Sequence, residues 1–194
     1  MIPHDHSIVP SNEDKQFLQL IRYDVDNFIN GCSEKYDEYN TILLDIGPDI
    51  YKGAKQFFKK SIVKVLDIKP LPNVDYVADL CQTNTHIPNE SFDYILCTNV
   101  LEHTLQPFRA IEEIHRMLKK NGILFLSVPL NFRIHGPLPD CWRFTKYGVS
   151  ALLNGLFEII EMNELESGRP LMPLHYTVIA SSIILGTSCS LINK

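Results

Sequence analysis

The sequence predicts an α/β protein built on a doubly wound, mostly parallel sheet, and three observations lead there. The run Thr41-Ile42-Leu43-Leu44-Asp45-Ile46-Gly47-Pro48-Asp49 is a short apolar stretch closed by Gly-Pro, which reads as a fully buried strand. Such strands sit in parallel sheets covered by helices on both faces. Further strand-length apolar runs then alternate with helical patterns, as right-handed crossovers require. Finally, an acid closes each of three successive strands: Asp45, Asp67 and Asp79. In open α/β sheets ligands bind beyond the carboxyl ends of strands, near a topological switch point.

Taken in order, residues Met1 to Pro10 form a polar lead that is expected to be flexible. His4 and His6 in it could bind a metal at a mobile end, against the plainer reading of a solvated tail. Ser11 to Asn30 is predicted helical. Ser11 caps it, Glu13 and Asp14 favour the positive end of its dipole, and Phe17, Leu18, Ile21, Val25, Phe28 and Ile29 share one face, with Gly31 as the stop. After the first strand, Tyr51 to Lys60 is predicted as a short helix. Ser61 to Ile68 is the second strand, Val74 to Asp79 the third and Phe92 to Cys97 the fourth. Pro107 to Lys120 reads as a helix closed by Lys119, Lys120 and Gly122, and Ile123 to Pro129 as the fifth strand. Thr145 caps a helix through Asn154, and Phe157 to Met162 is a strand. Tyr176 to Leu185 reads as a strand closing an antiparallel hairpin or, equally, as a helix. The Pro-, His- and Gly-containing segment Leu130 to Arg143 is too long for a mere connection, and long loops in compact domains are often functional.

The bulk numbers narrow the function. A chain of 194 residues with 45% hydrophobic and 21% charged residues suits one globular domain. The net charge of −5 leaves no basic footprint for nucleic acid. Five scattered cysteines (Cys32, Cys81, Cys97, Cys141 and Cys189) without C-x-x-C spacing, and no secretory leader pattern, predict reduced thiols in a cytoplasmic protein. The apolar stretch Tyr176 to Gly186 is about half the ~20 residues that a membrane span needs.

Asp67 follows Asp45 by about twenty residues, the spacing at which a second-strand carboxylate accepts hydrogen bonds from a ribose diol. Asp79 is placed to accept from the amine of an adenine. A dinucleotide enzyme would need G-x-G-x-x-G, but Asp49 and Lys52 stand where the later glycines belong. A negative Asp49 disfavours a pyrophosphate and tolerates a cofactor carrying an ammonium or sulfonium.

These residues resemble the motifs of the class I S-adenosylmethionine-dependent methyltransferases over roughly Thr41 to Gly155. Leu43-Leu44-Asp45-Ile46-Gly47 is similar to their first motif, Val65-Leu66-Asp67-Ile68 to the acidic second-strand motif, and Asn73 to Leu80 to the third-strand segment. The most specific piece is Ser91-Phe92-Asp93-Tyr94-Ile95-Leu96-Cys97-Thr98-Asn99-Val100-Leu101-Glu102-His103, similar to the fourth-strand motif. Ile114 to Gly122 resembles the helix and turn before strand five. The chain departs from the family's G-x-G-x-G by keeping only Gly47, followed by Pro48 and Asp49. The resemblance implies a seven-stranded, mostly parallel Rossmann-like sheet with an antiparallel C-terminal strand, and S-adenosylmethionine as cofactor with S-adenosylhomocysteine as product. It also implies cofactor contacts from Asp45, Gly47, Pro48, Tyr51, Asp67, Ile68, Asp79, Leu80, Thr98, Asn99 and Val100. A narrower resemblance, His135-Gly136-Pro137 with Asp140 to Thr145, is to a subgroup associated with polysaccharide or small-metabolite modification, and suggests a small or glycan-like acceptor.

Methyl transfer from a sulfonium is an in-line displacement in which positioning and water exclusion can do most of the work. A hydroxyl acceptor calls for a base. His103, just past strand four, and His135, in the long loop, are the candidates, each set against a structural role. Asp140 and Arg143 are candidate substrate-binding residues, Arg143 through a bidentate grip on an anion, or else they pair with each other and pin the loop. Trp142 and Phe144 read as core or pocket wall, and His86 and His115 as ordinary surface or helix residues. No carboxylate cluster reads as a Mg²⁺ site, and no metal is expected. Two rival readings stand beside the methyltransferase: an inert methyltransferase-like binding module and a nucleotide-cofactor oxidoreductase.

Overall fold

A computed structural model describes residues 9–48 and 53–183. Its seven strands are β1 (Ile42–Ile46), β2 (Ile62–Asp67), β3 (Tyr76–Val77), β4 (Phe92–Thr98), β5 (Leu118–Pro129), β6 (Phe157–Leu165) and β7 (His175–Ser182). They form one sheet in the order β3-β2-β1-β4-β5-β7-β6. The pairs β1/β2, β1/β4, β2/β3 and β4/β5 are parallel, whereas β5/β7 and β6/β7 are antiparallel. The closing segment is therefore a strand, and the chain ends its sheet with the antiparallel hairpin. Leu185, like Tyr51, Asp49, His4, His6 and Cys189, lies outside the described residues.

Successive side chains of a strand point to opposite faces, which is why the central strands are apolar throughout. Leu44, Ile46, Ile95 and Cys97 join one core with Ile111, Ile114 and Met117 of α2 (Pro107–Met117) and Leu152 of α3 (Lys146–Leu153). Leu43 and Leu96 face the other way, into a core with Phe125, Ile179 and α1 (Asn12–Tyr36).

α1 starts where expected: Ser11 and Asp14 exchange a reciprocal capping box, at 2.7 and 3.1 Å. It does not stop at Gly31. Ile29 and Cys32 stay buried on either side, and Tyr36 packs on Tyr94 and Phe125, with ring centroids 5.9 and 5.3 Å apart. That anchoring outweighs the roughly 1 kcal/mol that a mid-helix glycine costs. Asp37 ends the helix, and its carboxylate takes the backbone N–H groups of Lys59, Lys60 and Ser61 at the mouth of β2.

α2 also ends differently, at Met117 rather than Lys120. Leu118 already pairs with Phe92 of β4, and Lys119 donates to both carboxylate oxygens of Asp93 at 2.9 Å. Pairing with β4 overrides the helix propensity of the two lysines. Asn121, at φ 58°, and Gly122 make the bend: a Cβ on Gly122 would stand 2.9 Å from the Lys119 carbonyl oxygen. The helix expected over Tyr51 to Lys60 is, in its described part, a single 3-10 turn at Gly53–Gln56. Among the described residues no helix is long and apolar enough to cross a membrane.

Candidate active site

The strand order places a topological switch between β1 and β4: the chain leaves β1 for β2 on one side, then returns to lay β4 on the other. The crevice expected at such a point is bordered by the turn after β1. Gly47 holds φ 61°, donates its N–H to the Leu66 carbonyl at 2.8 Å, and would bring a Cβ to within 3.2 Å of Val100 on the tail of β4. Glycine is thus needed for both backbone and clearance. Gly53, which the sequence reading passed over, is the turn's second essential glycine. It sits at φ 52°, and a Cβ there would overlap the Asp45 carboxylate and press on Pro48.

Asp45 is 2% exposed, and its Oδ2 accepts the Ala54 N–H at 2.7 Å. Burial raises its carboxyl to about 6, against the opposing pull of that hydrogen bond and of Lys55. The side chain turns inward and fastens the loop through Ala54.

Asp67 closes β2 half-buried at the rim, and its Oδ1 accepts the Lys69 N–H at 2.8 Å, the Asx turn that such a residue makes. Its Oδ2 has no hydrogen-bond partner among the described residues. Ile68 beside it is exposed. Ala78 donates to the Asp67 carbonyl, which ties the β3 exit to the same edge. One residue on, Asp79 accepts the Cys81 N–H at 2.8 Å, while Leu80 is buried in the core.

On the other side of the crevice, Thr98, Asn99 and Val100 are half-buried at the end of β4. Asn99 takes φ 52°, donates its N–H to Ser127 on β5 and accepts the Ser127 hydroxyl at 3.3 Å. This left-handed kink, tolerated by asparagine, leads into the 3-10 turn Leu101–His103.

That turn carries a residue the sequence reading quoted but did not single out. Glu102 is fully buried, and among the described residues neither carboxylate oxygen has a hydrogen-bond partner. Burial pushes its pKa up to about 8, against the pull of its own backbone N–H and then of Arg143. The Nε2 atoms of His103 and His135 both stand 4.0 Å from Glu102 Oε1, and the two imidazole rings meet edge-on with centroids 4.9 Å apart. The candidate bases, separated in sequence, are thus brought together. Burial holds His135 below the ordinary imidazole range, although Asp140 opposes this, so the ring is neutral at pH 7. Among the described residues, Glu102, His103 and His135 form the one group with ligand atoms close enough to share an ion, within 4.8 Å of one another. A sequence pattern of adjacent Glu-His plus a distant loop histidine was the available signal.

The loop itself is fastened at many points. Cys141 and Trp142 donate their N–H groups to the Glu102 carbonyl, the Trp142 indole donates to Thr104 at 2.8 Å, and Arg133 reaches Asp14 at the start of α1. Arg143 grips Asp140 in a bidentate pair, both contacts 2.7 Å, and gives its remaining N–H groups to the carbonyls of Phe132, Trp142 and Arg133. All five guanidinium donors are thereby spent. The buried Asp140 also accepts the His135 N–H; these bonds outweigh burial and hold its carboxyl below the usual range. Of the two roles the sequence leaves open, the structure shows the pairing: Asp140 and Arg143 bond to each other and set the loop that presents His135. Phe144 is core, Trp142 is partly exposed, and His86 is exposed. His115 is more engaged than expected, bonded to the Ile183 carbonyl at 3.0 Å and packed on Phe157.

This arrangement of sheet, crevice and rim acids is that of the class I methyltransferases, and the chain belongs to the methyltransferase-domain family, whose model matches residues 27–126, just over half its length. Among curated relatives, a ubiquinone biosynthesis O-methyltransferase of Glaesserella parasuis serovar 5 is 40% identical over 84 residues, 43% of this chain and 34% of that one. An uncharacterized protein of Methanocaldococcus jannaschii is 32% identical over 93 residues, 47% of this chain and 32% of its own. The matches thus span about a third of those relatives. Of solved structures, a methyltransferase of Methanosarcina mazei aligns with TM-score 0.60 at 18% identity, covering 78% of this chain and 96% of that one. The 1,6-didemethyltoxoflavin-N1-methyltransferase of Burkholderia thailandensis, solved with its substrate and S-adenosylhomocysteine, aligns with TM-score 0.59 at 16% identity, covering 91% and 92%.

Proposed function

We propose that the protein is an S-adenosylmethionine-dependent methyltransferase that methylates an oxygen of a small-molecule or sugar-like acceptor. The observation that carries this reading is the meeting of elements at the switch point: the Gly47 turn packs on Val100 at the tail of β4, His103 follows Val100 by three residues, and the loop brings His135 against the His103 ring. The residues fit the cofactor. Gly47 supplies the positive φ and the bare Cα beside Val100 that a tight cofactor turn calls for, and Asp67 Oδ2, without a hydrogen-bond partner among the described residues, would accept from a ribose diol at the β2 rim. Ile68 would flank the nucleoside and Asp79 and Leu80 the adenine. Pro48 would wall the first turn, while Thr98, Asn99 and Val100 would face the methionine part.

When bound, that cofactor supplies an electrophilic methyl on a sulfonium. The chain supplies position and a proton acceptor. Neutral His135, or His103 beside it, takes the proton of an acceptor hydroxyl at Nε2, since the Nδ1 of each is engaged: His103 with the Pro139 carbonyl at 3.1 Å, His135 with the Arg133 carbonyl at 3.3 Å. The loop over residues 130–144, held by the Asp140–Arg143 pair, would exclude water from the acceptor side. The kind of acceptor is supported by the O-methyltransferase relative and by the small substrate of the Burkholderia neighbour. A soluble cytoplasmic setting, as one domain and without nucleic acid, suits this reading and the charge of −5.

The test is transfer of a labelled methyl group from S-adenosylmethionine to a panel of phenols, sugars, carboxylates and amines. Product bearing an O-methyl group is expected, with turnover lost in His135→Ala. Cofactor binding without turnover on any acceptor would favour the inert binding module, and turnover only on nitrogen or carbon would overturn the oxygen assignment.

A further inference from the structure

We infer that Glu102, His103 and His135 form a binding site for one divalent first-row transition ion, of which Zn²⁺ is the simplest probe. The argument starts from an anomaly. A carboxyl group that is fully buried with both oxygens unpartnered is rare in a folded protein, and an ion is one of the few things that accounts for it. The imidazole Nε2 atoms of His103 and His135 each stand 4.0 Å from Oε1, too far for a hydrogen bond.

The far sides of both rings argue the same way. His103 Nδ1 lies 3.1 Å from the Pro139 carbonyl oxygen, and an oxygen there requires the proton on Nδ1. His135 Nδ1 faces the Arg133 carbonyl at 3.3 Å and Asp140 Oδ2 at 3.2 Å, again acceptors. Both tautomers are therefore set with the lone pair on Nε2, pointing toward Glu102. Backbone carbonyls and carboxylates on the outer nitrogen are what metal-ligating histidines use to fix their orientation, and Arg143 in turn fixes Asp140.

Two imidazoles and one carboxylate make a donor set for Zn²⁺ or Fe²⁺ rather than for Mg²⁺, which prefers oxygen. In a tetrahedral zinc site, ligand atoms stand about 3.3 Å apart, so the Nε2 atoms need to close on Glu102 by about 0.7 Å, and the whole set, now within 4.8 Å, by at most about 1.5 Å, a side-chain adjustment. Three protein ligands leave a coordination position open. On the methyltransferase reading, on which this last clause rests, that position belongs to an acceptor oxygen beside the tail of β4; an occupied site takes both Nε2 lone pairs, so the histidines serve as proton acceptors only in the ion-free chain, and in the loaded one the ion would acidify the acceptor hydroxyl instead.

The experiment is a titration of the full, chelator-treated chain with Zn²⁺ against a chromogenic competitor, followed by loading with Co²⁺. One equivalent is expected to bind, with a visible d–d spectrum and no sulfur charge-transfer band. Affinity should fall at least tenfold in His103→Gln and in His135→Gln, and survive in a variant with His4→Ala and His6→Ala. Circular dichroism of each variant shows that it is folded, and the partly exposed histidines are chosen over Glu102 for that reason. No binding, binding that follows His4 and His6, or a cobalt spectrum of thiolate ligation would each overturn the site. No cofactor or acceptor enters these measurements, so their failure leaves the methyltransferase reading standing, and failure of cofactor binding leaves the ion site standing.

Discussion

Replacing Arg143 by alanine separates a structural clamp from a substrate-binding arginine. The substitution strips Asp140 of both guanidinium contacts while leaving its carboxylate, whose side chain is wholly buried, against His135. Removing one partner of a buried ion pair costs about 3–5 kcal/mol. Arg143 is itself about a quarter exposed, with 24% of its side-chain surface accessible, so water can partly replace it, and the low end, about 3 kcal/mol, applies. For a domain of this size each kcal/mol shifts Tm by about 2–4 °C, which gives a drop of roughly 6–12 °C in a calorimetric or fluorescence melt. Asp140→Asn combined with Arg143→Ala should recover part of that loss, because the stranded charge is gone. An unchanged Tm together with a raised KM for the acceptor would refute the clamp and return Arg143 to the substrate.

Four further outcomes follow from the same geometry. Gly53→Ala drives a Cβ into the Asp45 carboxylate at a positive φ, so it should lower stability by about 2–4 kcal/mol, combining left-handed strain with a lost buried hydrogen bond; chemical denaturation measures it. Asp67→Ala should weaken S-adenosylhomocysteine binding by about 1–3 kcal/mol in calorimetry, and an unchanged affinity would remove Asp67 from the site. Glu102, with a folded pKa of about 8 against an ordinary 4.5, binds its proton more tightly folded than unfolded. Its contribution to stability is full at low pH and is lost as pH rises through that window, so ion-free Glu102→Gln should lose less stability than wild type between pH 5 and 8. Buried His175, held down to about 4 by burial, acts in the opposite sense. Its stabilisation is present above 6.5 and lost as pH falls toward 4, and His175→Leu should flatten that acid limb in pH-dependent unfolding.

The sheet was legible because its central strands are apolar on both faces, a pattern that packing on two sides imposes. Boundaries failed where distant pairing overrode local preference: Tyr36 anchors α1 past Gly31, and Phe92 draws Leu118 out of the helix. The rim acids were found, but not the inward turn of Asp45, because a strand-end position does not reveal which way its carboxylate points. The sequence marks His103 and His135 as separate candidates without showing that they touch. Their meeting over Glu102 depends on the fold of a loop 32 residues downstream, held by an Asp140–Arg143 pair that the spacing left open between two roles.

The central claim is that the crevice between β1 and β4 holds an adenosyl sulfonium cofactor. Titration calorimetry of the wild-type chain with S-adenosylmethionine, S-adenosylhomocysteine and NAD tests it most directly. One equivalent each of the first two, and no heat from the third, is the predicted result. Silence from both adenosyl ligands, or saturable binding of NAD in their place, would contradict it.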